Sequence, residues 1–497
     1  MKRIIPVFLI VLITLLASCG QKYSYTDIIP KDASMVISVD FEQLYQKSNI
    51  DKTENGKKLK AQLDHILKDF FSNLNEEDVN ALIQNPNQSG LDFTEKGYIF
   101  VGRESKTYGL VFKVSDKKKI LKFDLPENQI SFKKEQNFYT CVSDNFIIVF
   151  DNSAFLVLSS NYPVDESLRQ YAFSLMEENK EKETPIELKS LFEKENDLSA
   201  YIDMNFIPNG ALASARMGLS GDLLLKDLKF ITSANIEKGK IDLILDNITD
   251  NPSLVDLFEK YSKVFSPMSD KFLDMFPSNT LMYGGTHLNG SALHQLLQEN
   301  PAISYALTNS DIPLDMNRVL SSIQGDLTVG IHSINNKSFS LYAEVTDSFM
   351  EESLNELQTF VASAHGMAAI QKVKENLYLF QAYPDMRIWF GNYRNVFFMT
   401  NNSYCASNFG EPYKASLKQK QWAKNVHGNA ISAAIDVGKL LKDADVSPFN
   451  ETAMALYPFE YINFYAKEWN QFRFELVTKD KERNILEQAI DLISNFY

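Results

Sequence analysis

The chain has 497 residues, of which 44% are hydrophobic and 12% aromatic, with 35 Phe and 22 Tyr. That composition excludes a disordered chain, favours strands and is enough for roughly two to four domains. A formal net charge of −14 works against nucleic acid and anionic headgroups, and three cysteines are too few for a disulfide scaffold.

The first segment, MKRIIPVFLIVLITLLASCG, reads as a bacterial lipoprotein export signal. Lys2 and Arg3 form its basic start, Ile4 to Ala17 its apolar core, and Leu16-Ala17-Ser18 the small-residue approach to cleavage. Cys19 follows at once, where such signals carry the thiol that is alkylated by diacylglycerol and becomes the acylated new N-terminus. The expectation is a signal peptide over residues 1–18 and a lipidated tether over 19–28, with palmitate-type chains on Cys19 holding the protein to a membrane. An ordinary secretory signal with Cys19 incidental is the alternative. The apolar run is shorter than the roughly 20 residues that span a bilayer. Loss of Lys2 and Arg3 takes the formal charge from −14 to −16.

Beyond the tether, short alternating runs such as Met35 to Val39, Ile99 to Val101 and Phe472 to Leu476 predict strands with one face buried. Lys57 to Leu82, Ser253 to Phe265 and Arg483 to Phe496 carry apolar residues at three-to-four spacing and predict amphipathic helices. Glu237-Lys238-Gly239-Lys240 and Asn335-Asn336-Lys337 read as hairpin loops. Glu177 to Asp197 is charged and reads as an exposed helix and loop. Asn209 to Gly221, rich in small residues, reads as a connector or a mobile binding loop.

The text of the chain also repeats. Pro30, Tyr108, Phe150, Leu198 and Gly239 open segments that return at Pro277, Phe339, Phe390, Ile431 and Asn470, at offsets of 247, 231, 240, 233 and 231 in one uncrossed order. These matches align Met35 with Met282, Asp203 with Asp436, and Ile241, Leu243 and Leu245 with Phe472, Phe474 and Leu476. They place turns at Asn152 and Asn392 and pair Asp40 with His287. The expected fold class is α+β, as two tandem related units of mainly antiparallel sheet with packed helices, over 29–265 and 266–497.

Chemistry is sparse. The six histidines match no zinc spacing, and no nucleophile elbow, P-loop or dinucleotide fingerprint is present, so no cofactor and no metal is expected. Ser220 in Gly218-Leu219-Ser220-Gly221 lacks the strand and spacing of an elbow. Asp203 and Asp436 are the candidate carboxylates, either as an acid and base or cation-binding pair, or as caps satisfying free N–H groups. Cys141 and Cys405 read as two separate buried thiols, or as one long-range disulfide.

Leu16-Ala17-Ser18-Cys19, then Tyr25 to Ser34 leading into a strand that ends at Asp40, Asn85-Pro86-Asn87-Gln88-Ser89-Gly90-Leu91, and Asn235 to Ile241 resemble an uncharacterised envelope lipoprotein family of the Bacteroidetes, a domain of unknown function. The resemblance implies an address and no catalytic residue. Surface-exported lipoproteins of that phylum usually carry acids after the cysteine. Gly20-Gln21-Lys22 departs from this and implies the periplasmic face of the outer membrane, with the cell surface as the alternative.

The leading functional expectation is a non-enzymatic lipoprotein that binds an envelope protein or lipid, with no role for nucleic acid. The alternatives are an envelope hydrolase whose site is assembled from distant residues, and a lipid carrier with an apolar cavity.

Overall fold

The computed structural model describes residues 24–494, except 71–79, 83, 103–106, 124–130, 178–182, 207–226, 310–313, 365, 383–384 and 446–450. Cys19 and the expected signal, Ser220, and the stretch 209–221 therefore lie outside the described residues. The chain divides into two compact units, Met1–Ile202 and Asp203–Tyr497. Both mix helices with antiparallel sheet, as the α+β pattern predicts.

In the first unit, the strands are β1 (Met35–Val39), β2 (Gly97–Val101), β3 (Thr107–Lys113), β4 (Lys133–Glu135), β5 (Phe138–Val142), β6 (Phe146–Phe150), β7 (Ala154–Ser160) and β8 (Leu198–Asp203). They pair in the order β4-β5-β6-β7-β3-β2-β1-β8, every contact antiparallel. Alternation decides the faces. In β7, Ala154, Leu156 and Leu158 are buried and the residues between them are less so. The helix Phe41–Ser48 follows β1 and the helix Glu54–Phe70 follows that, the described part of the longer helix expected from Lys57.

The second unit holds β9 (Lys229–Glu237), β10 (Lys240–Ile248), β11 (Phe265–Ser266), β12 (Met282–Asn289), β13 (Ile323–Ser333), β14 (Ser338–Val345), β15 (Ala368–Lys374), β16 (Leu377–Ala382), β17 (Met386–Tyr393), β18 (Val396–Thr400), β19 (Ile431–Asp436), β20 (Phe459–Glu468) and β21 (Gln471–Thr478). Their order is β15-β16-β17-β18-β14-β13-β12-β19-β20-β21-β10-β9, with β11 pairing the far end of β12. The core gathers Phe276, Tyr283, Tyr342, Phe398 and Trp422, with Phe276 meeting Tyr342 edge-on at 5.1 Å. Helices Pro252–Val264 and Ile485–Ser494 lie where their spacing predicts them.

Register adds detail. Met35 sits between Ile202 and Val101, and Val101 pairs Tyr108; Met282 sits between Ile435 and Ile331, and Ile331 pairs Phe339. On the seam between β10 and β21, Ile241 faces Leu476, Leu243 faces Phe474 and Leu245 faces Phe472. Beside it, Thr478 N donates to Gly239 O at 2.8 Å and Asn247 N donates to Asn470 O at 2.7 Å. Gly239, at φ +69°, supplies the left-handed turn that the Lys238-Gly239 hairpin requires. Two details of the sequence alignment change. The β17–β18 turn falls at Arg394-Asn395, both at positive φ, and Asn392 lies within β17 opposite Phe397. The residue that caps the helix after β12 as Asp40 caps the helix after β1 is Asn289, because β12 runs past His287 before it ends.

Candidate functional site

Asp436 ends β19 and caps the helix Val437–Asp443, accepting from Lys439 N at 3.1 Å, with Lys439 Nζ at 3.2 Å and Lys420 Nζ at 3.4 Å. Asp203 ends β8, is buried, and accepts from Asn205 N at 2.8 Å in the turn Met204–Phe206. The surroundings of both are those of carboxylates closing a strand onto a helical turn. Cys141 and Cys405 are both buried thiols, not joined as a disulfide.

A cluster that spacing did not reveal forms where β11 to β14 meet. His287 Nδ1 bonds Asp326 Oδ1 at 2.8 Å, Asp326 Oδ2 accepts from Ser269 N and its hydroxyl, and Glu344 Oε2 accepts from Asp326 N at 2.8 Å. Lys271 pairs with the other Glu344 oxygen. These three ligand-bearing side chains lie within 4.8 Å of one another. A cation there would have to displace Lys271 and strip bonds from Asp326, so the cluster reads as a self-satisfied network that holds the Met268–Asp270 segment on the sheet.

His332 lies deeper. Its Nε2 is 2.9 Å from Ser340 Oγ and 3.5 Å from Cys405 Sγ, and its Nδ1 is 3.2 Å from Thr280 Oγ1. Burial lowers the His332 pKa to about 4 and raises the Cys405 thiol above its ordinary value. A neutral imidazole beside a protonated thiol is the opposite of an activated cysteine pair.

Among the described residues of the first unit, a cleft of about 490 Å³ is shaped to receive a ligand. Asp40 caps the helix Phe41–Ser48 through Gln43 N at 2.9 Å, and this directs Phe41 and Tyr45, one turn apart, along one wall. The facing wall is the turn Pro86–Ser89, which belongs to the Asn85 to Leu91 segment noted above. Asn85 caps it, and Asn87 Oδ1 accepts from Phe93 N at 2.8 Å. Phe93 stands edge-on to Phe41 at 5.9 Å and packs on Phe112 at 5.4 Å. Gln46, Gln84, Asn85 and Asn87 bring carboxamides to the rim. Phe41 and Tyr45 remain 37% and 44% exposed, so the cleft presents aromatic surface ringed by carboxamides and one carboxylate, Glu42. Tyr45 donates to Asp51, which raises its pKa and fixes the ring. Phe41, Phe93 and Phe112 are too far apart in sequence for periodicity to join them; the strand end at Asp40 and the Asn85 to Leu91 segment were legible, their approach was not.

A family model for a domain of unknown function, DUF4836, matches residues 25–486. No curated protein matches the chain. Among solved structures, crystal form I of TP0453 is similar over 49% of this chain and 87% of its own, at 10% identity and a TM-score of 0.28. Crystal form IV is similar over 48% and 84%, at 12% identity and 0.27. Likenesses this faint carry no argument.

Proposed function

We propose a function from the premise that this chain belongs to the DUF4836 family, a domain of unknown function. The protein is a lipid-anchored, non-enzymatic binding protein of a bacterial envelope, held by acylated Cys19 on the periplasmic face of the outer membrane. It is built as two related α+β units in tandem. The duplication is supported by the two strand orders, which correspond strand for strand from β1 to β8 and from β12 to β19, and by the matching rows through Met35 and Met282. The anchor is supported by Leu16-Ala17-Ser18-Cys19. No helix among the described residues is long and apolar enough to cross a membrane.

One observation carries the binding role: the 490 Å³ cleft that exposes Phe41 and Tyr45 beneath a rim of carboxamides. Its size falls within the roughly 300–1,000 Å³ of small-ligand sites. An apolar side chain of a partner protein would bury against the aromatic wall while its backbone bonds the rim amides.

The test is to isolate the full chain from its own envelope and identify by mass spectrometry what comes with it, beside Cys19→Ala and Phe41→Ala. Supporting results are membrane retention lost with Cys19→Ala and a stoichiometric protein lost with Phe41→Ala. A wild-type chain that fractionates as soluble, or co-purified material indifferent to Phe41, would overturn the corresponding half of the reading; bound lipid in place of protein would transfer the cleft to the carrier class.

A further inference from the structure

The second unit carries a different opening. The two-residue turn Trp469-Asn470 joins β20 to β21, closed by Glu468 opposite Gln471. Its tip docks on the end of β10, where Asn247 Nδ2 donates to Trp469 O at 3.1 Å. The indole packs against Tyr261 and Phe265, each with centroids 4.9 Å away, and meets Phe472 edge-on at 6.2 Å. On one side of it lies a cleft of about 260 Å³, walled by Val255, Phe258 and Trp469, with Glu259 and Glu468 as its charged residues and no lysine or arginine in its lining.

Three observations converge on what this cleft would take. Neither Glu259 nor Glu468 has an ion pair or a side-chain hydrogen bond among the described residues, although Lys260, the next residue, is engaged by Asp256 at 3.5 Å and Glu299 at 3.1 Å. Asn247 Oδ1, on the wall, is shielded from solvent and has no hydrogen-bond partner. Aromatic faces beside unpaired carboxylates attract a cation through both the ring quadrupole and the charge. At the tip of the other hairpin the contrast is direct. There the segment beside Gly239 supplies its own cation, Arg483, which holds Asp480 at 2.7 Å and also bonds Asp491.

We infer that the Trp469 cleft binds a small organic cation, an alkylammonium group held between the indole, Glu259 and Glu468. The site is built from residues of the second unit alone, and the inference does not depend on the Phe41 cleft.

The test is a titration of the full chain with choline and with its neutral isostere 3,3-dimethylbutanol, read by tryptophan fluorescence and by thermal shift. Choline should give a saturable change that weakens with added salt and is absent in Trp469→Phe. Glu259→Gln, at an exposed position that folding does not need, and Glu468→Gln should each weaken it roughly fivefold. Equal binding of the isostere, no response to choline in a chain whose circular dichroism is native, or indifference to both Gln variants would overturn the inference.

Discussion

His332 makes one contribution to the acid stability of this protein. Its imidazole is enclosed by Thr280, Ser340 and Cys405, and burial lowers its pKa from 6.5 to about 4. The unfolded chain takes up a proton near pH 6.5, whereas the folded chain resists protonation until near pH 4. The stability that His332 allows is therefore complete above pH 6.5 and is lost as pH falls toward 4, below which both states are protonated. A difference of about 2.5 pH units sets the ceiling at about 3 kcal/mol, and about 2 kcal/mol is already lost at pH 5. His332→Gln keeps an amide for Ser340 and cannot titrate. Urea unfolding followed by circular dichroism at pH 7.5 and pH 5.0 should therefore show a loss about 2 kcal/mol smaller in the variant than in wild type, since the carboxylates titrating in that range cancel between the two. Equal losses would refute the argument and mean that the imidazole is charged, or solvated, in the folded state.

Gly109 lies opposite Phe100 on adjacent strands, and a Cβ there would stand 2.1 Å from the Phe100 ring, which is fully buried. Gly109→Ala should cost about 1–3 kcal/mol by overpacking, measured as a lowered denaturation midpoint. Asp436→Ala removes the cap on Lys439 N and should cost about 1 kcal/mol, whereas Asp436→Asn should retain most of that stability; an equal loss in both would assign the effect to the charges of Lys420 and Lys439. Phe276→Ala, in the centre of the second unit's core, should cost about 3–5 kcal/mol and shift thermal unfolding accordingly.

Local signals were the legible ones. The helices at Pro252–Val264 and Ile485–Ser494 bury one stripe each, so three-to-four spacing finds them to within a few residues, and Gly239 marks its hairpin because few other residues adopt that φ. The Asn392 turn was misplaced because Asn395, three residues later, tolerates the same backbone, and only pairing decides between them. Asp40 aligned with His287 by counting, yet strand length, set by β13 alongside, moved the cap to Asn289. The His287, Asp326 and Glu344 cluster and the two clefts are made by residues drawn together across strands and helices, which no spacing along the chain encodes.

The pairing of β10 with β21 has a kinetic side. Leu243 and its partner Phe474 are 231 positions apart, so the strand is made long before the one that covers its edge. At about 5–20 residues per second, ribosomal synthesis would separate the two by roughly 10–50 s. For that time Ile241, Leu243 and Leu245 lie along an unpaired edge, open to pairing with another nascent chain. A chain cut short before β21 would keep that edge permanently, and its fate would be decided by chaperones and proteases before any ligand could matter.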